Sequence, residues 1–391
     1  MNIIVNIKKA KKDLEMKFNK LATILLTGAL SACLIVGAAG CSSNDSAVKD
    51  LENKLSGYES KLDEMGKLLE EMNNSLKPTE ITAPVEYSEE CYEKVKYIDS
   101  VLRDRDCING ESFELAQKWI AWNLIQAGYG EDDIKFQDVT FTRRGTEYTS
   151  PNIVIKKQGK SEKQIIVGAH YDGTGTGDNG SGIALALTTA EKIVDMELEY
   201  TVTFVFFTAE EYGCHGSTAY ANAMTETEIE NTLYMINLDS LVCGDYAYIY
   251  GGVQDNENKT VTQTQAYDNA MEVAKSLGLS LKSNPWTWEK PAPGYDEPDY
   301  ASPSTGNWSD HRGFKNKGIP YVYFEATNWE IPVPYEEYDG YGETYLIGML
   351  MNTENDYLEY IDKYFPGRIQ QHLKTFSTLL YALVTQTEVN F

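Results

Sequence analysis

The sequence predicts an α/β protein: a three-layer α/β/α sandwich around a mostly parallel mixed sheet, preceded by a helical, coiled-coil-like stalk. Three observations carry this expectation. Apolar runs of strand length alternate with stretches of helical periodicity, the pattern of a parallel sheet covered on both faces. Three of those runs, Ile165–Ala169, Val202–Phe207 and Leu233–Leu238, each end in residues of metal-ligand type, and open α/β sheets place their ligands outside the carboxyl ends of their strands. Ahead of them, an apolar seam with heptad spacing runs from Val48 to Leu76.

The chain has 391 residues and a formal net charge of −25. Its start reads as a targeting segment. Lys17 and Lys20 precede an apolar, small-residue stretch over 21–40, and Cys41-Ser42-Ser43-Asn44-Asp45 is abruptly polar. That pattern reads as a secretory signal. It is similar to a bacterial lipoprotein signal, which implies lipidation at Cys41, a mature start there and a site on the extracellular face of the cell membrane. Cys33, after Leu30-Ser31-Ala32, fits the local pattern but is followed by more apolar sequence. Secretion without a lipid, and an uncleaved anchor of about spanning length, are the alternatives. Six lysines and two acidic residues lie in 1–40, so the remainder is more acidic still. A surface of that sign repels nucleic acid and anionic membrane.

Val48, Leu51, Leu55, Tyr58, Leu62, Met65, Leu69, Met72 and Leu76 alternate spacings of three and four, an a/d seam of about four heptads. We read 41–78 as a tether and stalk, with Pro78 and Pro84 ending it, and 79–391 as the catalytic domain. The seam is also a route to a homo-oligomer. Helical spacing follows over 88–102 and over 112–127, closing at Gly128. Residues 133–142 and 152–157 read as strands, and Gln158-Gly159-Lys160-Ser161 as a hairpin turn into 164–169. Helices are expected over 181–194, 261–277 and 369–384, and a strand over 246–250. Residues 285–334 hold eight of the twelve prolines and read as loop. Cys214 and Cys243 follow two ligand-bearing strands closely; a disulfide and two buried thiols are both compatible with that placement.

The chemistry-bearing residues come in a fixed order: His170-Tyr171-Asp172, Asp178-Asn179-Gly180-Ser181-Gly182, Glu210-Glu211-Tyr212-Gly213, Asn237-Leu238-Asp239, and Ser309-Asp310-His311-Arg312-Gly313-Phe314. One imidazole and several carboxylates at strand ends suit a hydrolytic metal centre. Adjacent Glu210 and Glu211 on an extended strand end face opposite sides, so one can meet a metal and the other a water. The Gly-Thr-Gly-Thr-Gly run at 173–177 lacks the dinucleotide fingerprint, and Asp178 would face phosphate.

This ordered set resembles the zinc exopeptidases of clan MH, which include secreted bacterial aminopeptidases, glutamate carboxypeptidase II and glutaminyl cyclases. The resemblance spans about residues 85–388. It implies that His170 and Asp239 ligate one zinc, that Asp178 bridges two, and that Glu211 binds the second. It makes Asp172 the carboxylate behind His170 and Glu210 the general base. A metal-bound hydroxide would attack the peptide carbonyl and release N-terminal residues from peptides. One departure stands out. The second metal's last ligand is a His in a His-Thr-x-x-Asp pattern, and here the stretch is Asn352-Thr353-Glu354-Asn355-Asp356. An amide oxygen is a poorer zinc ligand than imidazole, so the second zinc is expected to be weakened. His311 is expected to bind substrate or order its loop rather than ligate. His215 and His372 are expected to pack, and the acidic stretch over 294–343 to attract an α-amine or a basic side chain, or to be plain solvated surface. Two other readings stand beside the aminopeptidase: a glutaminyl-peptide cyclase, against which the loss at Asn352 counts, and a binding module with a degenerate metal site.

Overall fold

The computed structural model describes residues 86–331, 342–389 and 391. The leader, Cys33, Cys41 and the Val48–Leu76 seam lie outside the described residues. Two helices open the described chain, α1 (Ser88–Val101) and α2 (Phe113–Ala127). The second stops at Gly128, whose φ of 116° supplies the left-handed C-cap. A hairpin follows, β1 (Lys135–Arg143) and β2 (Thr146–Lys157). Its two-residue turn, Arg144-Gly145, has positive φ at both positions, as the twist of a tight hairpin requires.

The central layer is built next: β3 (Ser161–His170), α3 (Gly180–Ile193), β4 (Tyr200–Phe207), α4 (His215–Ala223), α5 (Glu226–Asn231) and β5 (Thr232–Leu238). Then come β6 (Tyr246–Tyr250), the small ribbon β7 (Val253–Asp255) and β8 (Thr260–Thr262), α6 (Gln265–Ser276), α7 (His311–Lys315), β9 (Tyr321–Thr327), α8 (Leu358–Tyr364) and α9 (Arg368–Val384). The seven-stranded sheet has the order β1-β2-β4-β3-β5-β9-β6. Its middle strands β4, β3, β5 and β9 run parallel, and the pairings towards either edge are antiparallel.

Side chains alternate across this sheet. Ile165, Val167, Val202, Phe204, Tyr234, Ile236, Val322 and Phe324 pack in one core with Ile98, Ile120, Ile183, Leu187, Val273, Phe376 and Leu380 of the helices. Ile166, Val205, Phe207, Met235, Tyr321 and Tyr323 face a second core with Ala221 of α4 and Phe314 of α7. Each large apolar side chain so buried contributes about 1.5–3 kcal/mol. These two layers of helix around one sheet are the expected sandwich.

Several local expectations need correction. The turn at 158–161 does not make a hairpin, because β4 lies between β2 and β3. The chain is instead carried onto the start of β4, where Lys160 N–H donates to Leu198 O (2.9 Å) and Ser161 N–H to Glu199 O (2.8 Å). Residues 285–334 are not all loop: they contain α7 and the fully buried strand β9. Pro320 directly precedes β9, and proline is tolerated at the head of a strand; the run after it is aromatic and β-branched. The helix expected from 261 begins at Gln265, since Val261 belongs to the ribbon. Cys214 and Cys243 are buried free thiols, as are Cys91 and Cys107.

Candidate metal centre

Three loops leave the carboxyl ends of β3, β4 and β5 and converge. His170 is the last residue of β3, and its parity along the strand turns it to the Ile166 face. The side chain is 1% exposed. Its Nε2 lies 3.2 Å from Asp178 Oδ1, 3.3 Å from Asp239 Oδ1 and 4.0 Å from Glu210 Oε2. Its Nδ1 is 3.2 Å from the Asp172 main-chain oxygen and 3.7 Å from Asp172 Oδ1. Residue 172 therefore backs the ring chiefly through its carbonyl. Its carboxylate is committed elsewhere: Asp172 Oδ1 accepts from Glu210 N–H at 3.1 Å and so holds the start of the β4 loop.

The loop from Tyr171 to Asp178 is clamped on two sides. Arg105, wholly buried, donates from Nε to Tyr171 O (3.2 Å), from Nη1 to Leu102 O (2.8 Å) and from Nη2 to Gly175 O (2.8 Å). Asp356 accepts from Gly177 N–H at Oδ1 (2.6 Å) and from Asp178 N–H at Oδ2 (2.8 Å). Gly173 has a φ of 107°, which favours glycine, and a Cβ there would stand 2.7 Å from Glu211 Oε1 and displace that carboxylate. Asn179 caps α3 through Gly182 N–H (3.1 Å), accepts from Ser240 N–H (3.2 Å) and donates to Leu238 O (2.8 Å). It thereby ties the β3 loop to the β5 loop. Asp239 is fixed by Ser309 Oγ at 2.6 Å, which is itself held by Asn237 Nδ2 at 2.7 Å.

The electrostatics are those of a cation site. Burial alone would lower the His170 pKa, but the charges of Asp239 and Glu210 and the bonds to Asp178 and Asp239 hold it well above the ordinary value. Burial raises Asp178, and burial raises Glu210 well above the carboxylate range. Glu211 lies at the exposed rim of the cluster; desolvation of its carboxyl, and then the Asp178 charge, push it up to about 8. Burial works on Asp239 too, yet the His170 charge and bond keep it low. So many crowded carboxylates are costly unless a cation offsets them.

Ligand atoms of His170, Asp178 and Glu211 lie within 4.8 Å of one another. One imidazole nitrogen among carboxylate oxygens is a donor set that suits zinc. The structure thus brings together His170, Asp172, Asp178, Glu210, Glu211 and Asp239. Asn352 is different: it is exposed, on a turn with a φ of 58°. His311 is fully buried, its Nε2 on Gly306 O (2.8 Å) and its ring stacked against Tyr321 and Tyr323. It orders the loop, and burial pushes its pKa down to about 3. His372 packs in α9 with Nε2 on Gly244 O (2.9 Å), and His215 stacks on Phe141.

Residue-by-residue reading of the motifs passed over Arg105, Asp356 and Asp310. Asp356 had a signal, since it closes the Asn352–Asp356 stretch. Asp310 had one too, inside Ser309-Asp310-His311; both its carboxylate oxygens are buried without a hydrogen-bond partner among the described residues. Arg105 had none.

A buried imidazole ringed by carboxylates at the carboxyl edge of a mixed α/β sheet is the arrangement that a metal-dependent hydrolase requires. Sequence comparison makes the class specific. The profile of peptidase family M28 matches residues 152–375, more than half of the chain, and the chain belongs to that family. It is 28% identical over 302 residues to the Escherichia coli alkaline phosphatase isozyme conversion protein, covering 70% of this chain and 83% of that one. It is 33% identical over 118 residues to leucine aminopeptidase 2 of Trichophyton rubrum, a match of 29% of this chain and only 24% of that enzyme. Among solved structures, the zinc aminopeptidase of Bacillus subtilis aligns with a TM-score of 0.56 at 16% identity, covering 78% of this chain and 97% of that one. A glutaminyl cyclase from an Acidobacteriales bacterium aligns with a TM-score of 0.57 at 16% identity, covering 79% and 98%.

Proposed function

We propose that this chain is a zinc-dependent aminopeptidase that removes N-terminal residues from peptides. The observation that carries the reading is the position of Glu210. Its Oε2 stands 4.0 Å from His170 Nε2, farther out than Asp178 Oδ1 at 3.2 Å and Asp239 Oδ1 at 3.3 Å. A carboxylate beside a cation site but not needed to fill it is placed to move a proton. When bound, a zinc ion there would polarise the scissile carbonyl and acidify a water.

The chain's own residues do the rest. Asp172 O accepts a hydrogen bond from His170 Nδ1–H, which leaves Nε2 as the ligand atom. Asp172 Oδ1 fixes the Glu210 main chain, so the base is aimed by the same residue that orients the imidazole. Glu210 accepts the proton of the attacking water and hands it to the leaving amine. The free thiol of Cys214 lies 3.4 Å from Glu210 Oε1 and holds that oxygen away from the ligands. Export, lipidation at Cys41 and a stalk over 41–78 complete the proposal, with the catalytic domain held outside the cell.

The test is metal content by mass spectrometry together with hydrolysis of aminoacyl-anilides, before and after a chelator. Zinc in the protein and chelator-sensitive release of the anilide support the reading. Cyclisation of N-terminal glutamine without hydrolysis would replace it with the cyclase. Metal-free protein without either activity would leave a binding module.

A further inference from the structure

The loop between His170 and Asp178 has a sequence that cannot hold one path by itself. Gly173, Gly175 and Gly177 alternate along it, and glycine loses more freedom on ordering than any other residue. Fixing each such residue costs about 1–2 kcal/mol. The restraint comes from outside, and much of it from one residue. Every second carbonyl of the loop ends on Arg105: Tyr171 O accepts from Nε at 3.2 Å, Gly173 O from the main-chain N–H at 2.9 Å, and Gly175 O from Nη2 at 2.8 Å. Arg105 stands four residues beyond α1. That helix adds a further hold, because Asp99 Oδ1 accepts from Thr176 Oγ1 and from Leu358 N–H, the latter at 3.0 Å.

The guanidinium is wholly buried. Its remaining bonds also go to main-chain carbonyls, from Nη1 to Leu102 O at 2.8 Å and to Arg103 O at 3.4 Å. The fork therefore anchors the loop to the end of α1 without a carboxylate among these partners. A buried cation so placed is costly unless opposite charge lies near. The acidic cluster supplies that charge: burial lowers the Arg105 pKa to about 10, and Asp356, Asp172, Asp178 and Glu211 oppose the fall. Lysine would keep the charge. Its compact ammonium has no planar fork to span carbonyls on both sides of a turn.

Arg105 touches none of the candidate ligand side chains, yet it sets the path between two of them. His170 immediately precedes the first gripped carbonyl, and Asp178 follows the last by three residues. We propose that Arg105 is a positioning residue of the metal centre: by gathering the carbonyls of Tyr171, Gly173 and Gly175 it keeps His170 Nε2 and Asp178 Oδ1 at their 3.2 Å separation before a metal binds. The ordering of a glycine-rich loop is then met during folding and is not charged against metal affinity. This rests on the metal-centre reading above and is independent of which peptide is cut.

The experiment uses the full chain as wild type, Arg105→Lys and Arg105→Ala. Zinc affinity is read by chelator competition, and hydrogen exchange is followed at the Thr176, Gly177 and Asp178 amides with and without chelator. Both variants should bind zinc at least about tenfold more weakly, as loss of support behind a ligand does. Added guanidinium should return part of that affinity to Arg105→Ala and none to Arg105→Lys. In the wild type these amides should stay protected after chelation; in the chelated variants they should exchange about tenfold faster or more. A plain packing role would lower stability but would not make these amides respond to guanidinium. Variants that bind zinc as the wild type does, or a lysine variant that alone matches it, would overturn the proposal. So would a wild type whose loop amides lose protection on chelation, a result that stands even where a variant fails to fold. A wild type that binds no zinc would remove the metal centre itself.

Discussion

Replacing Glu210 by Gln separates proton transfer from metal binding. Gln keeps the shape of Glu210 and can still lie beside the Cys214 thiol, 3.4 Å away in the wild type. It cannot accept a proton. General-base loss costs two to four orders of magnitude in turnover, which raises the barrier by roughly 3–5 kcal/mol. The cluster of His170, Asp178 and Glu211 does not include residue 210, so metal content should be unchanged. Since burial holds the Glu210 carboxyl well above its ordinary range, removing a charge from this crowded centre should not destabilise the fold. The assay is steady-state kcat on an aminoacyl-anilide, with zinc per chain measured on the same sample. Turnover within threefold of wild type, or loss of bound zinc, would refute the assignment and make Glu210 a ligand or a bystander.

The two metal positions should be unequal: His170, Asp178 and Asp239 offer one ion three protein ligands, whereas Asp178 and Glu211 offer the other two. Dialysis should leave about one tightly held ion per chain, and Asn352→His should raise occupancy of the second; two ions of equal affinity in the wild type would contradict this. Asp356→Ala strands the Gly177 and Asp178 amides, at about 1–3 kcal/mol for each buried donor left unpaired, and should weaken zinc binding at least about tenfold in a chelator competition; unaltered affinity would remove Asp356 from the site. Glu325 has a folded-state pKa near 8 against an ordinary 4.5, so both states are protonated below about pH 4.5, and the folded state is increasingly penalised as pH rises towards 8. Glu325→Gln should therefore match the wild type in thermal stability near pH 4.5 and exceed it progressively up to pH 8, by no more than about 4 kcal/mol; a difference that does not change with pH would show that Glu325 is ionised throughout. Protein beginning after Pro78 should keep its hydrolytic activity and lose any oligomer that the full chain forms, as read by light scattering; equal mass per chain in both would dismiss an oligomerising stalk.

The central strands were legible because burial on both faces leaves one kind of sequence. Ile165–Ala169 and Val202–Phe207 are continuous apolar runs, and β3 and β4 are buried through those same residues. The strand β9 was missed for the opposite reason. Its alternate residues carry hydroxyls and a carboxylate, Tyr321, Tyr323 and Glu325, which look solvent-facing in a one-dimensional reading. Those polar ends are satisfied across the sheet, by Tyr250 and by Gly252 O, and tertiary pairing of that kind leaves no periodic trace. The hairpin at 158–161 failed similarly. A turn signal gives the place where a chain reverses but not which strand is inserted beside it, and β4 arrives from forty residues further on.

The candidate ligands were legible because they follow strand ends: His170 closes β3, Asp239 follows β5, and Glu210-Glu211, expected on an extended strand end, lie in the loop after β4 closes at Phe207, so backbone direction delivers them to one edge of the sheet. What aims them was not. Arg105 reaches the β3 loop through the carbonyl oxygens of Tyr171 and Gly175, contacts that any sequence offers and none advertises. Asp356 acts at a separation of nearly 180 residues, through the amides of Gly177 and Asp178. Asp356 is buried and grips the loop that carries Asp178, whereas Asn352, four residues earlier, is exposed; the stretch that ends in Asp356 therefore bears on the centre by fixing the backbone of Asp178, whose carboxylate stands 3.2 Å from His170 Nε2.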